Sequence, residues 1–163
     1  MTQEERIIST DRMRYTKDKI SSTLVLAAIV FDAMYFVSIY KSDVGSFYYN
    51  WMIGASIIYN LLFLLTAFLC SEGVKSRKTG YPVALVIIGA LQFLRIFYLP
   101  AKARAALASV NGSEVPVMER GQYVYVLACL VLSAVCCLAA AVTSYRNTKR
   151  LNDYMRTLEQ SKP

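Results

Sequence analysis

The chain contains no histidine among its 163 residues. That single absence removes imidazole acid–base catalysis, His-ligated zinc or copper and His-ligated haem. No Gly-rich loop of the phosphate-cradling kind is present, and the longest polar segments, at about 20 residues, are too short to fold a nucleotide-binding domain. Cysteine is scarce and badly placed for chemistry. Cys70, Cys129, Cys136 and Cys137 lie within or at the ends of apolar stretches, with no Cys-x-x-Cys in a loop, so they read as small packing residues rather than a disulfide framework. No Ser or Cys in a polar segment has a candidate base nearby in sequence. The expectation is a protein that is not an enzyme, with no catalytic residues, no metal site and no cofactor.

Interruptions in the apolar pattern are missing too. A chain that is 56% hydrophobic and 18% charged could be a small soluble domain only if its apolar residues were broken up every 8 to 15 positions or so, and they are not. Four stretches, 20–40, 47–70, 81–99 and 123–145, run 21, 24, 19 and 23 residues. A helix needs about 20 to cross a hydrocarbon core roughly 30 Å thick. Backbone groups in lipid find no water, so each stretch must close its own hydrogen bonds as a helix. The stretches are solidly apolar and do not alternate with period two, which excludes a transmembrane β-barrel. The fold class expected is all-α: a polytopic membrane protein, one four-helix transmembrane bundle over residues 1–163, with a short N-terminal segment 1–19, an external loop 100–122 and a tail 146–163.

A net charge of +7 would suggest nucleic acid in a soluble chain, but here the cations gather at span ends. Thirteen of the 18 lie in residues 1–19, in the 71–80 connection (Lys75, Arg77, Lys78) or in the tail. Only Lys41, Lys102, Arg104 and Arg120 flank the other side. Lys and Arg beside spans are retained in the cytoplasm, which predicts both termini and the 71–80 loop there and excludes a nucleic-acid partner. The first apolar run begins at Ile20, after a segment of mixed charge, so it is expected to insert without cleavage. The compact loops suit a bacterial plasma membrane.

Local signals fill in the connections. Thr10 or Asp11 is a candidate cap for a helix running on into the first span. Lys41 to Ser46, with Asp43 and Gly45, predicts a tight turn, and Tyr40, Tyr48, Tyr49 and Trp51 mark the outer headgroup layer. Gly73 and Gly80 read as helix stops, Pro82 as a first-turn residue, and Pro100 as the end of the third span. Residues 101–110 are rich in helix formers and predict a short surface helix followed by an irregular loop. Asn111-Gly112-Ser113 matches the glycosylation acceptor pattern.

Two surfaces suggest contacts. In the fourth span Cys129, Ser133, Cys137 and Ala141 recur every four positions, with Cys136, Ala140 and Ser144 as a second row; small residues let another helix approach closely, either in the same bundle or in a partner or second copy. In the tail, Leu151, Tyr154, Met155 and Leu158 have helical spacing among Lys149, Arg150 and Arg156, an amphipathic helix for the inner leaflet or for a cytoplasmic partner.

The remaining feature is an intramembrane polar set: Asp32, Ser56, Asn60, Gln92 and Arg95. With a rise of about 1.5 Å per residue, Asp32 lies roughly 18 Å and Arg95 roughly 21 Å from the cytoplasmic edge. A lone charge at this depth costs at least about 2.5 kcal/mol, so two opposite charges at one level should pair. Asp32 and Arg95 are therefore predicted to form a buried ion pair, with Gln92 beside Arg95 and with Ser56 and Asn60 completing its hydrogen bonds. Arg95 could instead run outward along a stripe with Tyr98 and Lys102.

Two functions fit. One is an accessory or assembly subunit of a larger membrane transport complex, with the ion pair as a latch that fixes helix register. The other is a small proton-coupled transporter using the mid-membrane Asp32. Four short spans with an acid midway along the first look faintly like the small multidrug resistance carriers, a resemblance in topology and one residue that implies a carboxylate exchanging protons for cations. Here the acid is Asp rather than Glu, the external loop is longer, and Arg95 opposes a cationic cargo.

Overall fold

The computed structural model describes residues 3–40, 51–105, 107–110, 113–116 and 118–160. Five helices account for nearly all of them: α1 (Gln3–Tyr15), α2 (Lys19–Ile39), α3 (Trp51–Lys75), α4 (Gly80–Ala105) and α5 (Arg120–Gln160). Helices α2 to α5 are the four long and apolar enough to cross a membrane. They close a ring in which α5 packs on α2 and α4, and α3 packs on the same two from the other side. Helices α2 and α4 thus face each other diagonally across the bundle.

Burial follows a bilayer protein's logic. Leu61, Leu62, Leu65, Phe68 and Leu69 of α3 are exposed, whereas Ser21, Ser22, Asp32 and Gln92 are buried. In water such an apolar exterior would be a liability; against acyl chains it costs nothing, and the polar groups must turn inward. The interior divides into two apolar clusters. One gathers Val25, Ala28, Phe63, Ala67, Leu85 and Cys137 toward the end that carries the chain termini. The other gathers Tyr35, Ile39, Met118, Val126 and Leu130 at the opposite end. Asp32 lies on α2 between them.

The small residues of α5 are consumed inside this bundle. Cys129, Ser133, Cys137 and Ala141 are all buried, and the Ser133 hydroxyl donates to the Ala28 carbonyl of α2 at 3.0 Å. On the other flank α5 comes so near α4 that a Cβ on Gly89 would stand 3.3 Å from the Cys137 Cβ and 3.2 Å from Leu138. The row is therefore an internal packing surface and is not left for a second copy. All four cysteines are free thiols.

Several local expectations are corrected. α1 is a separate helix, and α2 is capped by Asp18 rather than by Thr10 or Asp11: the Ser21 amide donates to Asp18 Oδ1 at 3.1 Å and the Ser21 hydroxyl to Oδ2 at 2.9 Å. Neither Gly73 nor Gly80 stops a helix. Just past the end of α3 stands a left-handed residue, Arg77 at φ 53°, whose amide donates to the Val74 carbonyl while the Lys78 amide donates to the Gly73 carbonyl. The conformation is costly for a residue with a Cβ; here the Arg77 guanidinium is held by the Thr16 carbonyl at 2.6 Å. Gly73 has a different task. A Cβ there would overlap the Tyr81 ring, so glycine lets the first turn of α4 close over α3. Gly73→Ala should lower stability in mild detergent by about 2 kcal/mol, and Tyr81→Ala in the same chain should recover part of the loss; the thermal unfolding midpoint reads both.

The apolar span closes at Tyr98, beside the expected Leu99, but Pro100 does not stop the helix: α4 continues through it to Ala105. Of the surface helix expected over 101–110, residues 101–105 are helical as the continuation of α4, and beyond them lies an antiparallel hairpin, β1 (Leu107–Val110) with β2 (Ser113–Pro116), in which Val110 pairs with Ser113. An Asn-Gly dipeptide between two short segments is a strong hairpin signal in any sequence. The predicted turn at Asp43 and Gly45, the rings of Tyr48 and Tyr49, and Asn111 and Gly112 lie outside the described residues.

The tail is no separate surface helix. α5 runs unbroken for 41 residues, about 60 Å and twice the bilayer core, so its last turns project beyond the membrane. The face that carries Leu151, Tyr154 and Met155 is partly covered by α1, where the Tyr154 hydroxyl meets Asp11 at 3.4 Å.

Candidate functional site

The polar set of the first and third spans comes together in the middle of the bundle. Arg95 Nη1 donates to Asp32 Oδ1 at 3.0 Å, with Asp32 fully buried and Arg95 8% exposed. The predicted pair exists, and it crosses the diagonal from α4 to α2. A long side chain makes that reach from one wall of the ring to the opposite one.

Two tyrosines complete the setting of Arg95. Its guanidinium carbon lies 4.3 Å from the ring centre of Tyr35 on α2 and 4.9 Å from that of Tyr59 on α3. Aromatic faces attract a cation most strongly where water is absent. Arg95 is therefore fixed by one charge and two ring faces on two other helices, and the alternative path outward along Tyr98 is not taken. The sequence reading missed both tyrosines. A signal was present: Tyr35 stands three positions after Asp32, hence on the same face of α2, and Tyr59 directly precedes the singled-out Asn60.

The second hydrogen bond to Asp32 comes from Gln92, whose Nε2 donates to the same Oδ1 at 2.8 Å. Ser56 and Asn60 do not supply it. Gln92 sits one turn before Arg95 on α4 with a longer side chain, so a single helix delivers both donors to one oxygen. Asn60 is buried nearby in the chain, yet its Oδ1 finds no partner, and Ser56 is half-buried.

The cluster is also strained in its hydrogen bonding. Asp32 Oδ2, Gln92 Oε1, Arg95 Nη2, Asn60 Oδ1 and the hydroxyls of Tyr35 and Tyr40 are buried without a protein partner. Buried polar atoms of this kind normally bind internal water or a small polar ligand. Chemically the cluster is balanced: one carboxylate, one guanidinium and neutral donors and acceptors around them.

A second polar junction, not foreseen, lies at the end carrying the termini. Asp18 is 4% exposed and, besides capping α2, accepts from Asn147 Nδ2 of α5 at 2.8 Å, while its backbone amide donates to the Lys75 carbonyl of α3 at 3.1 Å. Nearby the Ser22 and Ser71 hydroxyls bond at 2.8 Å between α2 and α3. One residue thus joins three spans. The clue in the sequence was an acid placed just before the first apolar run, the position of a helix cap.

Comparison with protein-family models, curated proteins and solved structures finds no match for this chain.

Proposed function

We propose that this chain is a small non-catalytic integral membrane protein that serves as an accessory or assembly subunit of a larger membrane transport complex, with Asp32–Arg95 as a latch setting helix register. The observation that supports it is the self-compensation of the pair: Arg95 is already engaged by Asp32, Tyr35 and Tyr59, so both intramembrane charges are satisfied within the chain. A carrier site ordinarily keeps a charge that exchanges partners. Because the small residues of α5 are spent internally, a partner would meet the outward faces of the bundle or the projecting end of α5. The proposed setting is a bacterial plasma membrane with the termini in the cytoplasm, supported by the cations of α1, α5 and the α3–α4 connection, which gather at one end.

The test is the composition of gently solubilised material. A tagged chain should elute in a heteromeric assembly well above its own 18.3 kDa, with a larger membrane protein in fixed ratio. A monomer or homodimer would count against the subunit reading.

The second reading, a small proton-coupled transporter, is favoured by one observation: the unpartnered atoms around Asp32 leave capacity for a polar guest. It predicts that Asp32→Asn in proteoliposomes keeps the fold and abolishes proton-coupled flux. Under the subunit reading there is no such flux to lose.

A further inference from the structure

A groove runs up the outside of the α4–α5 seam at the end carrying the termini, and its chemistry changes along its length. Its inner part is walled by Val83 and Val86 of α4 and Val142 of α5, all about half exposed on the membrane-facing surface. Tyr145 follows, also exposed, and then Arg146, Lys149 and Arg150 in the next turns of α5. The volume is about 870 Å³, and a smaller cleft of about 250 Å³, which Arg156 also lines, adjoins it around Thr79 and Pro82.

The structure assigns this groove to an anionic glycerophospholipid, and we propose that it is a lipid-binding site. The order apolar wall, phenol, cations is the order acyl chain, glycerol interface, phosphate. A tyrosine at that middle position sits where headgroups begin. Four cations line the two spaces against one carboxylate, Asp153, so the local field favours an anion. The amino-terminal end of α4, with no acidic residue in its first turn, borders the smaller cleft at Thr79 and Pro82, and its dipole adds to the positive field. A zwitterionic lipid fills the apolar part as well but forfeits the charge match, and free phosphate satisfies the cations but leaves the valine wall empty.

The experiment is native mass spectrometry of the delipidated full chain titrated with phosphatidylglycerol or phosphatidylcholine in the same detergent. Phosphatidylglycerol should be retained with about a tenfold or greater preference. Arg146→Gln, Lys149→Gln and Arg150→Gln together should erase that preference. Val142→Trp, which fills the apolar wall and leaves every cation in place, should weaken phosphatidylglycerol several-fold, and Val86→Trp serves the same purpose should the first variant misfold. Inorganic phosphate in millimolar excess should not displace the lipid. Equal retention of the two lipids, wild-type binding in both classes of variant, or displacement by phosphate alone would overturn the proposal.

Discussion

Arg95→Leu should destabilise the bundle by about 3–5 kcal/mol, the largest loss expected from any single replacement in the chain. The substitution leaves Asp32, fully buried, with only Gln92 as a donor. Its short side chain cannot reach either interface from mid-span. It also removes the cation that Tyr35 and Tyr59 flank from two helices. Asp32→Asn should cost less, because Arg95 has a long stem and can turn toward the headgroups along the face that carries Tyr98. That asymmetry is itself informative: both variants lose the same ion pair, and they differ in where the stranded partner can go. The double variant Asp32→Asn with Arg95→Gln should recover much of the loss, since no uncompensated charge remains and neutral amides can bond one another. Unfolding midpoints in one detergent for the wild type, Asp32→Asn, Arg95→Gln and their double variant give the coupling. A loss below about 1 kcal/mol in Arg95→Leu, with additive behaviour in the double variant, would mean that the pair does not hold the helices in register.

The level of this pair is legible in the sequence because a membrane leaves a charge so few choices. Hydrocarbon fixes the span length and the rise per residue fixes the level, so two opposite charges on different spans can be matched from numbering alone. The four membrane-length helices were legible for the same reason. Reading failed where the deciding contact was short in space and long in sequence. Gly73 looked like a helix stop because nothing local reveals that Tyr81 will lie against it. Ser56 and Asn60 were chosen for level, but level says nothing about which way a residue faces around the ring, and Gln92 prevailed from the same helix as Arg95. Around Pro100 local signals compete: the helix formers of 101–105 carry α4 past the proline, and the chain turns into the hairpin only beyond them. The small row of α5 was legible as a packing surface, though its partners, α2 and α4, had to come from the structure.

Asp18→Ala is the second large effect, expected at about 3 kcal/mol. Three losses coincide at this side chain. The first turn of α2 gives up its cap: the Ser21 amide loses its acceptor, and the Ser21 hydroxyl keeps only its bond with the Thr143 hydroxyl at 3.0 Å. Asn147 of α5 loses a charge-assisted bond of 2.8 Å. The backbone link from residue 18 to the Lys75 carbonyl survives the change, since it uses the main chain, so the turn itself should persist. Asp18→Asn separates the contributions: an amide oxygen can still accept from Ser21 and hold the cap, whereas its NH₂ faces the NH₂ of Asn147 unless one of them flips. The asparagine variant should therefore lose about half of what alanine loses. Asn147→Ala in the wild-type background should reproduce the other part, and the Asp18→Ala, Asn147→Ala pair should be less than additive. Hydrogen exchange gives the independent readout, with protection lost first in the opening turn of α2 and in α5 around residue 147, while the Asp32 level of the bundle keeps its protection. Uniform loss along all four spans would instead mean that the two polar junctions act as one cooperative unit, with Asp18 and Asp32 coupled through the packed turns of α2 between them.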